Sequence, residues 1–183
     1  MFELNGKKVV VVGLGKSGDA AARFCLKKGA RVAALDSRPE VELAGLAKSL
    51  RAAGARVVCG PHRKKDFAGA DLVVVSPGVP GTIAPIRSAA EAGALVAGEV
   101  ELASWFISEP VVAVTGTNGK TTVTTLLGEM LKEAGLQVFV GGNIGTPLIS
   151  YADSDNRAEV VVAEISSFQL DTAPTFTPRV GVL

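Results

Sequence analysis

Apolar residues in this chain come in short, dense runs. Val9–Val12, Leu72–Val75, Val111–Val114 and Val160–Ala163 each place four apolar residues in a row, rich in β-branched side chains and flanked by Gly, Pro, Asp or Glu. A strand with one wet face alternates apolar and polar residues, whereas a strand buried on both faces reads as a continuous apolar run. The pattern therefore predicts a parallel sheet covered by helices. Arg31–Leu35, ending at Asp36, predicts another strand, and Val57–Cys59, Leu95–Val96 and Val138–Val140 predict shorter ones. Helix-compatible stretches lie between them at 17–28, 41–53, 86–92, 99–106 and 121–134. Gly29, Gly54, Gly93 and Gly135 each follow such a stretch and precede a strand, the position of a C-terminal glycine cap. Alternating strands and helices predict an α/β fold with right-handed crossovers.

Composition narrows the class. The 183 residues are 48% hydrophobic, which excludes disorder as a description of the whole chain. Nineteen Lys and Arg against 18 Asp and Glu leave a net charge of +1, so no general field draws nucleic acid or an anionic membrane. No apolar run approaches the ~18 residues of a membrane span. Two cysteines, Cys25 and Cys59, are too few for a disulfide framework or a zinc site and read as small apolar residues. The start runs straight into the first Val run without a cleavage pattern, and the expected location is the cytoplasm.

Two glycine loops carry the chemistry. The first, Gly13-Leu14-Gly15-Lys16-Ser17-Gly18, follows a strand and opens a helix. Its glycines allow a tight turn and a close backbone approach to a ligand, and the helix start offers N–H groups to an anion. Asp36, at the end of the second strand, is placed to accept from ribose hydroxyls. Alone, this loop fits an NAD-dependent dehydrogenase, an NAD(H)-sensing regulatory module, or a tight turn without a ligand. Ser76-Pro77-Gly78 follows a third strand, and in a parallel sheet its loop faces the same carboxyl-edge crevice as Gly13–Gly18 and Asp36-Ser37-Arg38. It also fits a plain Pro/Gly turn.

The second loop, Thr115-Gly116-Thr117-Asn118-Gly119-Lys120-Thr121-Thr122, again joins a strand to a helix. Successive N–H groups cradle polyphosphate oxygens, Lys120 supplies a charge for the terminal phosphates, and the Thr121 hydroxyl suits Mg²⁺. The spacing G-x-x-G-K-T is shorter than the general P-loop pattern, because Val114 stands where the first glycine would be. Glu164, ending the Val160–Ala163 run, suits the same Mg²⁺, and it also suits the start of the following helix. Asn143, in Gly141-Gly142-Asn143-Ile144-Gly145, has the hydrogen-bonding groups to meet a substrate. A dehydrogenase needs no ATP loop, and a plain nucleotidase needs no preceding dinucleotide-type unit. A ligase that activates a nucleotide-linked substrate with ATP needs both.

These segments, together with Glu164-Ile165-Ser166-Ser167-Phe168-Gln169-Leu170, resemble the Mur ligases of peptidoglycan synthesis, and within that family the D-glutamate-adding branch. The likeness runs over essentially the whole chain. It implies a Rossmann-like domain over 1–108 that binds a UDP substrate, then the opening part of a P-loop-type ATP domain over 109–183. An N-terminal fragment is thus expected, with the His and carbamylated Lys of the family's second Mg²⁺ site, and its amino-acid-binding domain, beyond Leu183. Carried over by position, Gly15, Lys16, Ser17, Asp36, Ser37, Arg38, Ser76, Pro77, Gly78 and Asn143 would contact the UDP-sugar. Gly116, Thr117, Asn118, Gly119, Lys120, Thr121 and Thr122 would hold ATP, Thr121 and Glu164 would bind Mg²⁺, and Lys120 and Glu164 would be catalytic. The implied reaction joins D-glutamate to UDP-N-acetylmuramoyl-L-alanine through an acyl phosphate, with ATP and Mg²⁺ as cofactors. The 183 residues alone are expected to bind nucleotide without catalysing ligation. His62, in a turn after Gly60-Pro61, and Arg63-Lys64-Lys65 are expected to be solvated loop.

Overall fold

The computed structural model describes residues 2–183. The chain divides into two compact units, one ending at Glu99 and the other running from Val100 to Leu183.

The first unit holds β1 (Lys8–Val12), α1 (Lys16–Lys27), β2 (Arg31–Asp36), α2 (Glu40–Ala52), β3 (Arg56–Cys59), α3 (Lys64–Phe67), β4 (Leu72–Val75), α4 (Ala84–Glu91) and β5 (Leu95–Gly98). Its sheet has the order β3-β2-β1-β4-β5, with every neighbouring pair parallel. Val9 to Val12 are all fully buried, so β1 is covered on both faces, as the continuous run requires. On one face Val10 and Val12 align with Ala33 and Leu35 of β2 and with Val73 and Val75 of β4, and Phe67, Ile86 and Ala89 cover them. Each such Val or Leu contributes roughly 1.5–3 kcal/mol by leaving water. The chain moves outward from β1 to β3, then returns to the other side of β1 with β4. The carboxyl ends of β1 and β4 therefore flank the point where the strand order reverses.

The second unit begins within α5 (Glu99–Ser104) and continues through β6 (Val111–Val114), α6 (Lys120–Glu133), β7 (Val138–Gly142), α7 (Leu148–Ala152), β8 (Val160–Glu164), α8 (Ser167–Leu170) and β9 (Val180–Val182). Its sheet, β7-β8-β6-β9, is also parallel throughout. Val161, Val162 and Ala163 are fully buried at its centre. Gly128 lets α6 lie close on β7, because a Cβ there would stand 2.4 Å from Val140 Cγ2.

The predicted glycine caps recur four times. Gly29, Gly54, Gly93 and Gly135 have φ between +80° and +100°. The residue after each donates back to a helical carbonyl five positions earlier, Ala30 to Cys25 O at 3.0 Å for example.

Three features differ from the sequence reading. The boundary placed at Ser108 falls after Glu99, because the buried Glu101 carboxylate accepts from the Thr175 and Phe176 N–H groups at 3.1 and 3.0 Å and so belongs with the second unit. Lys64 and Lys65 open the short helix α3 instead of lying in a loop, because Asp66 and Phe67 are buried beside β3 and the core. His62 is half-buried rather than solvated, with its ring edge-on to Phe67 at 6.4 Å. Cys25 is a core residue as expected, and burial pushes its thiol up to about 12.

Candidate functional sites

In the first unit the strand ends assemble a site from Gly13–Gly18, Asp36–Arg38 and Ser76. Gly13 takes φ +86°, and its N–H donates to Leu35 O at 2.7 Å. Gly18 lies against the same turn, where an added Cβ would stand 1.8 Å from Gly13 O. Ser76 closes the turn from β4, donating from Oγ to Gly13 O at 2.7 Å. Gly15 caps α1 and, having no side chain, adds no side-chain cap bond to the helix start. A helix start without a side-chain cap suits an anion.

Asp36 is almost wholly buried, and the chain itself fills its oxygens. Oδ2 accepts from Leu14 N at 2.7 Å and Arg38 Nη2 at 2.8 Å, while Oδ1 accepts from Arg38 N at 2.9 Å and Arg38 Nε at 3.0 Å. The Arg38 guanidinium holds its pKa down, from the ordinary 3.8 to about 2; burial opposes this, and the Arg38 and Leu14 N–H groups assist. Four donors on two oxygens make Asp36 the brace between the Gly13–Gly15 turn and the end of β2. Arg38 Nη2 also reaches Leu14 O at 3.3 Å, and its side chain is nearly half exposed. Of this pair, the guanidinium is the part open to a ligand.

In the second unit, β6 runs into the loop 115–119 and then α6. Gly116 and Gly119 have φ of +128° and +77°, and a Cβ on either would meet nothing within 4 Å. These glycines are needed for backbone conformation, and the space over them is open. Gly119 caps α6 without any side-chain bond. Lys120 folds back over the loop, its Nζ donating to Gly116 O at 2.8 Å and Thr117 O at 3.3 Å.

Beside this loop, the end of β8 presents Glu164, in register with Val114 on one side and Gly142 on the other. Thr121 Oγ1 donates to Glu164 Oε2 at 2.7 Å, and Asn143 Nδ2 donates to Glu164 Oε1 at 2.8 Å. Glu164 is buried, whereas Thr121 and Asn143 are exposed. A carboxylate and a hydroxyl are hard oxygen donors at hydrogen-bonding distance next to a lysine-bearing loop, which fits Mg²⁺ bound together with a polyphosphate. Ser166 starts α8 through a capping box with Gln169, fixing the chain directly after Glu164.

The ATP and Mg²⁺ residues gather in the second unit, and of the residues expected to contact the UDP-sugar, Gly15 to Gly78 lie in the first unit while Asn143 lies in the second, bonded to Glu164. Pro77 and Gly78 lie in the loop after β4, with Val79 N closing on Ser76 O at 2.9 Å. Ser37 stands between Asp36 and Arg38 in the loop after β2. Glu101 went unnoticed. Besides Thr175 and Phe176, it accepts from Trp105 Nε1 at 3.2 Å and from the Thr175 hydroxyl. A lone acid inside the apolar run Val100–Ala103 was the available signal.

Residues 7–98 match the Mur ligase MurD-like N-terminal domain family, and residues 114–183 match the Mur ligase middle domain family. The chain belongs to the Mur ligase family. The UDP-N-acetylmuramoylalanine–D-glutamate ligase of Desulfosudis oleivorans is 59% identical over 181 residues, spanning 99% of this chain and 39% of that protein. The ligase of the same name from Geobacter metallireducens is 51% identical over 182 residues, all of this chain and 40% of that protein. The chain therefore spans about two-fifths of the length of these curated relatives. Among solved structures, a pseudomurein peptide ligase type C from Methanothermus fervidus aligns over 96% of this chain and 37% of its own, at 28% identity and a TM-score of 0.50. A murein peptide ligase from Psychrobacter arcticus shares the fold, with a TM-score of 0.55 at 23% identity over 97% of this chain and 42% of its own. The peptidoglycan-ligase resemblance and the α/β class are thereby borne out. Among the described residues, no helix is long and apolar enough to cross a membrane.

Proposed function

We propose that this Mur ligase chain supplies the UDP-substrate site and part of the ATP site of an enzyme that joins D-glutamate to UDP-N-acetylmuramoyl-L-alanine in the cytoplasm. The observation that carries this reading is the Thr121–Glu164 pair, 2.7 Å apart beside the Lys120 loop. The names of relatives more than 50% identical over nearly the whole chain support the choice of substrates. The domain that binds the UDP-sugar is assigned to the first unit, and the ATP loop of P-loop type to the second.

In this reading the α1 start, with Gly15, Lys16 and Ser17, meets the diphosphate through backbone N–H groups. Arg38 adds a cation, and Ser37, Ser76, Pro77 and Gly78 line the loops for the sugar nucleotide. Asp36 acts by holding Leu14 and Arg38 in place. Gly116–Thr122 cradle ATP, and Lys120 exchanges its bonds to the Gly116 and Thr117 carbonyls for phosphate oxygens. Thr121 and Glu164 would hold Mg²⁺, which when bound would supply positive charge against the phosphate oxygens. The substrate carboxylate attacks the γ-phosphorus, ADP leaves, and an acyl phosphate results. The amine of D-glutamate then attacks that carbonyl, phosphate leaves, and the nitrogen gives up its proton. Two anions meet in the first step, so Lys120 and the loop N–H groups are required as charge develops.

An NAD(H) site is disfavoured by Asp36. An acid that reads ribose hydroxyls needs a free oxygen, and both of its oxygens already accept two donors each. A thermal-shift panel of NAD, Mg²⁺-ATP and UDP-N-acetylmuramoyl-L-alanine tests the reading. Stabilisation by the last two and not by NAD is expected, and a shift with NAD alone would refute it. The 183-residue polypeptide should release no glutamate-dependent phosphate.

A further inference from the structure

We infer that Asn143 is a positioning residue for Glu164, holding the carboxylate that faces the Lys120 loop. This rests on the proposed function, which takes Glu164 and Thr121 as the Mg²⁺ ligands.

Asn143 is bonded to Glu164 twice. Its backbone N–H donates to the Glu164 carbonyl at 2.8 Å, and its side-chain amide donates to Oε1 at 2.8 Å. A carboxylate only accepts, so the NH₂ group of Asn143 must face it, and the orientation of the amide follows from chemistry. Oε1 is thereby held on the Asn143 side, and Oε2 is held by Thr121. The carboxylate plane is defined at both ends before any ligand arrives.

The backbone is shaped for this. Gly142 pairs with Glu164 at the end of β7 and takes φ +103°, and a Cβ on it would stand 2.4 Å from Glu164 O. Only glycine brings the chain close enough for the next residue to wrap around Glu164. Gly141 is equally confined, with an added Cβ 2.4 Å from Thr146 O, so the turn carrying Asn143 has little room to shift. A buried carboxylate pinned in this way meets a cation without first losing rotamer freedom. A substrate contact alone would need none of these bonds.

The test compares the wild-type chain with Asn143→Ala and Asn143→Ser, serine being too short to reach Oε1. Mn²⁺ affinity is measured by electron paramagnetic resonance with a non-hydrolysable ATP analogue, and UDP-N-acetylmuramoyl-L-alanine affinity by calorimetry. Circular dichroism identifies a variant that fails to fold, and the other variant then decides. Weakening of Mn²⁺ affinity by about tenfold or more is expected from loss of a group that orients a metal ligand. Unchanged Mn²⁺ affinity would overturn the inference, and weakened UDP-sugar binding beside it would leave Asn143 a substrate contact only. If the wild-type chain binds no Mn²⁺ with the analogue, the assignment of Glu164 and Thr121 itself fails and the inference falls with it. That outcome is distinct from a defect confined to the variants.

Discussion

The two glycine loops follow the same local plan, a buried strand feeding a turn and then a helix, yet they are held in different ways. The first is packed shut from outside: Ser76 bonds to Gly13 O, Asp36 bonds to Leu14 N, and Gly18 leaves no room for a methyl group. The second is open, with free space over Gly116 and Gly119, and the loop is spanned by its own Lys120. A glycine can therefore be required for packing or for backbone conformation alone. The first kind builds a rigid floor, and the second leaves an open cradle in which, under the proposed function, Lys120 changes partners when phosphate enters.

The sharpest way to break this contrast is Gly18→Ala. Its Cβ would collide with a backbone oxygen of the first loop, so the first unit should lose about 3 kcal/mol of stability, read by chemical denaturation. Next, Lys120→Ala removes the cation from the second loop. ATP-analogue binding should weaken by about 2 kcal/mol in calorimetry while UDP-sugar binding stays unchanged, and in the intact ligase the rate should fall far more than substrate affinity.

Acid titration addresses the brace of the first loop. Asp36 has its pKa lowered from 3.8 to about 2, so its contribution is complete above about pH 4 and is lost as the pH falls through about 2. The half-exposed Arg38 moderates the effect to about 1–2 kcal/mol. Melting temperatures of the wild type and Asp36→Asn should differ at pH 7 and converge near pH 2. The smallest effect belongs to Gly119→Ala. With no neighbour to strike, it should cost about 1 kcal/mol, from the left-handed backbone alone. An equal loss for Gly18→Ala and Gly119→Ala would erase the distinction between the loops.

Much of the molecule was legible because its determinants are local. Four apolar residues in a row declare a doubly covered strand, and a glycine after a helical stretch declares its end. The loops 13–18 and 115–122 were readable for the same reason, since turn, helix start and lysine lie within eight residues. The four-residue α3 was not, because a segment that short has too few positions to show a period. What holds it is burial of Phe67, a tertiary event.

Sequence alone determined the α/β class, the positions of both glycine loops, and the residue types able to meet phosphate and a hard cation. These follow from backbone sterics, hydrophobic periodicity and side-chain chemistry, each of which acts over a few neighbours. Tertiary structure decided how those groups are used: Asp36 saturated by Leu14 and Arg38, Glu164 held between Thr121 and Asn143, Glu101 tied to a segment 74 residues away. Hydrogen bonds between distant residues depend on strand order and register, which no short stretch of sequence encodes by itself.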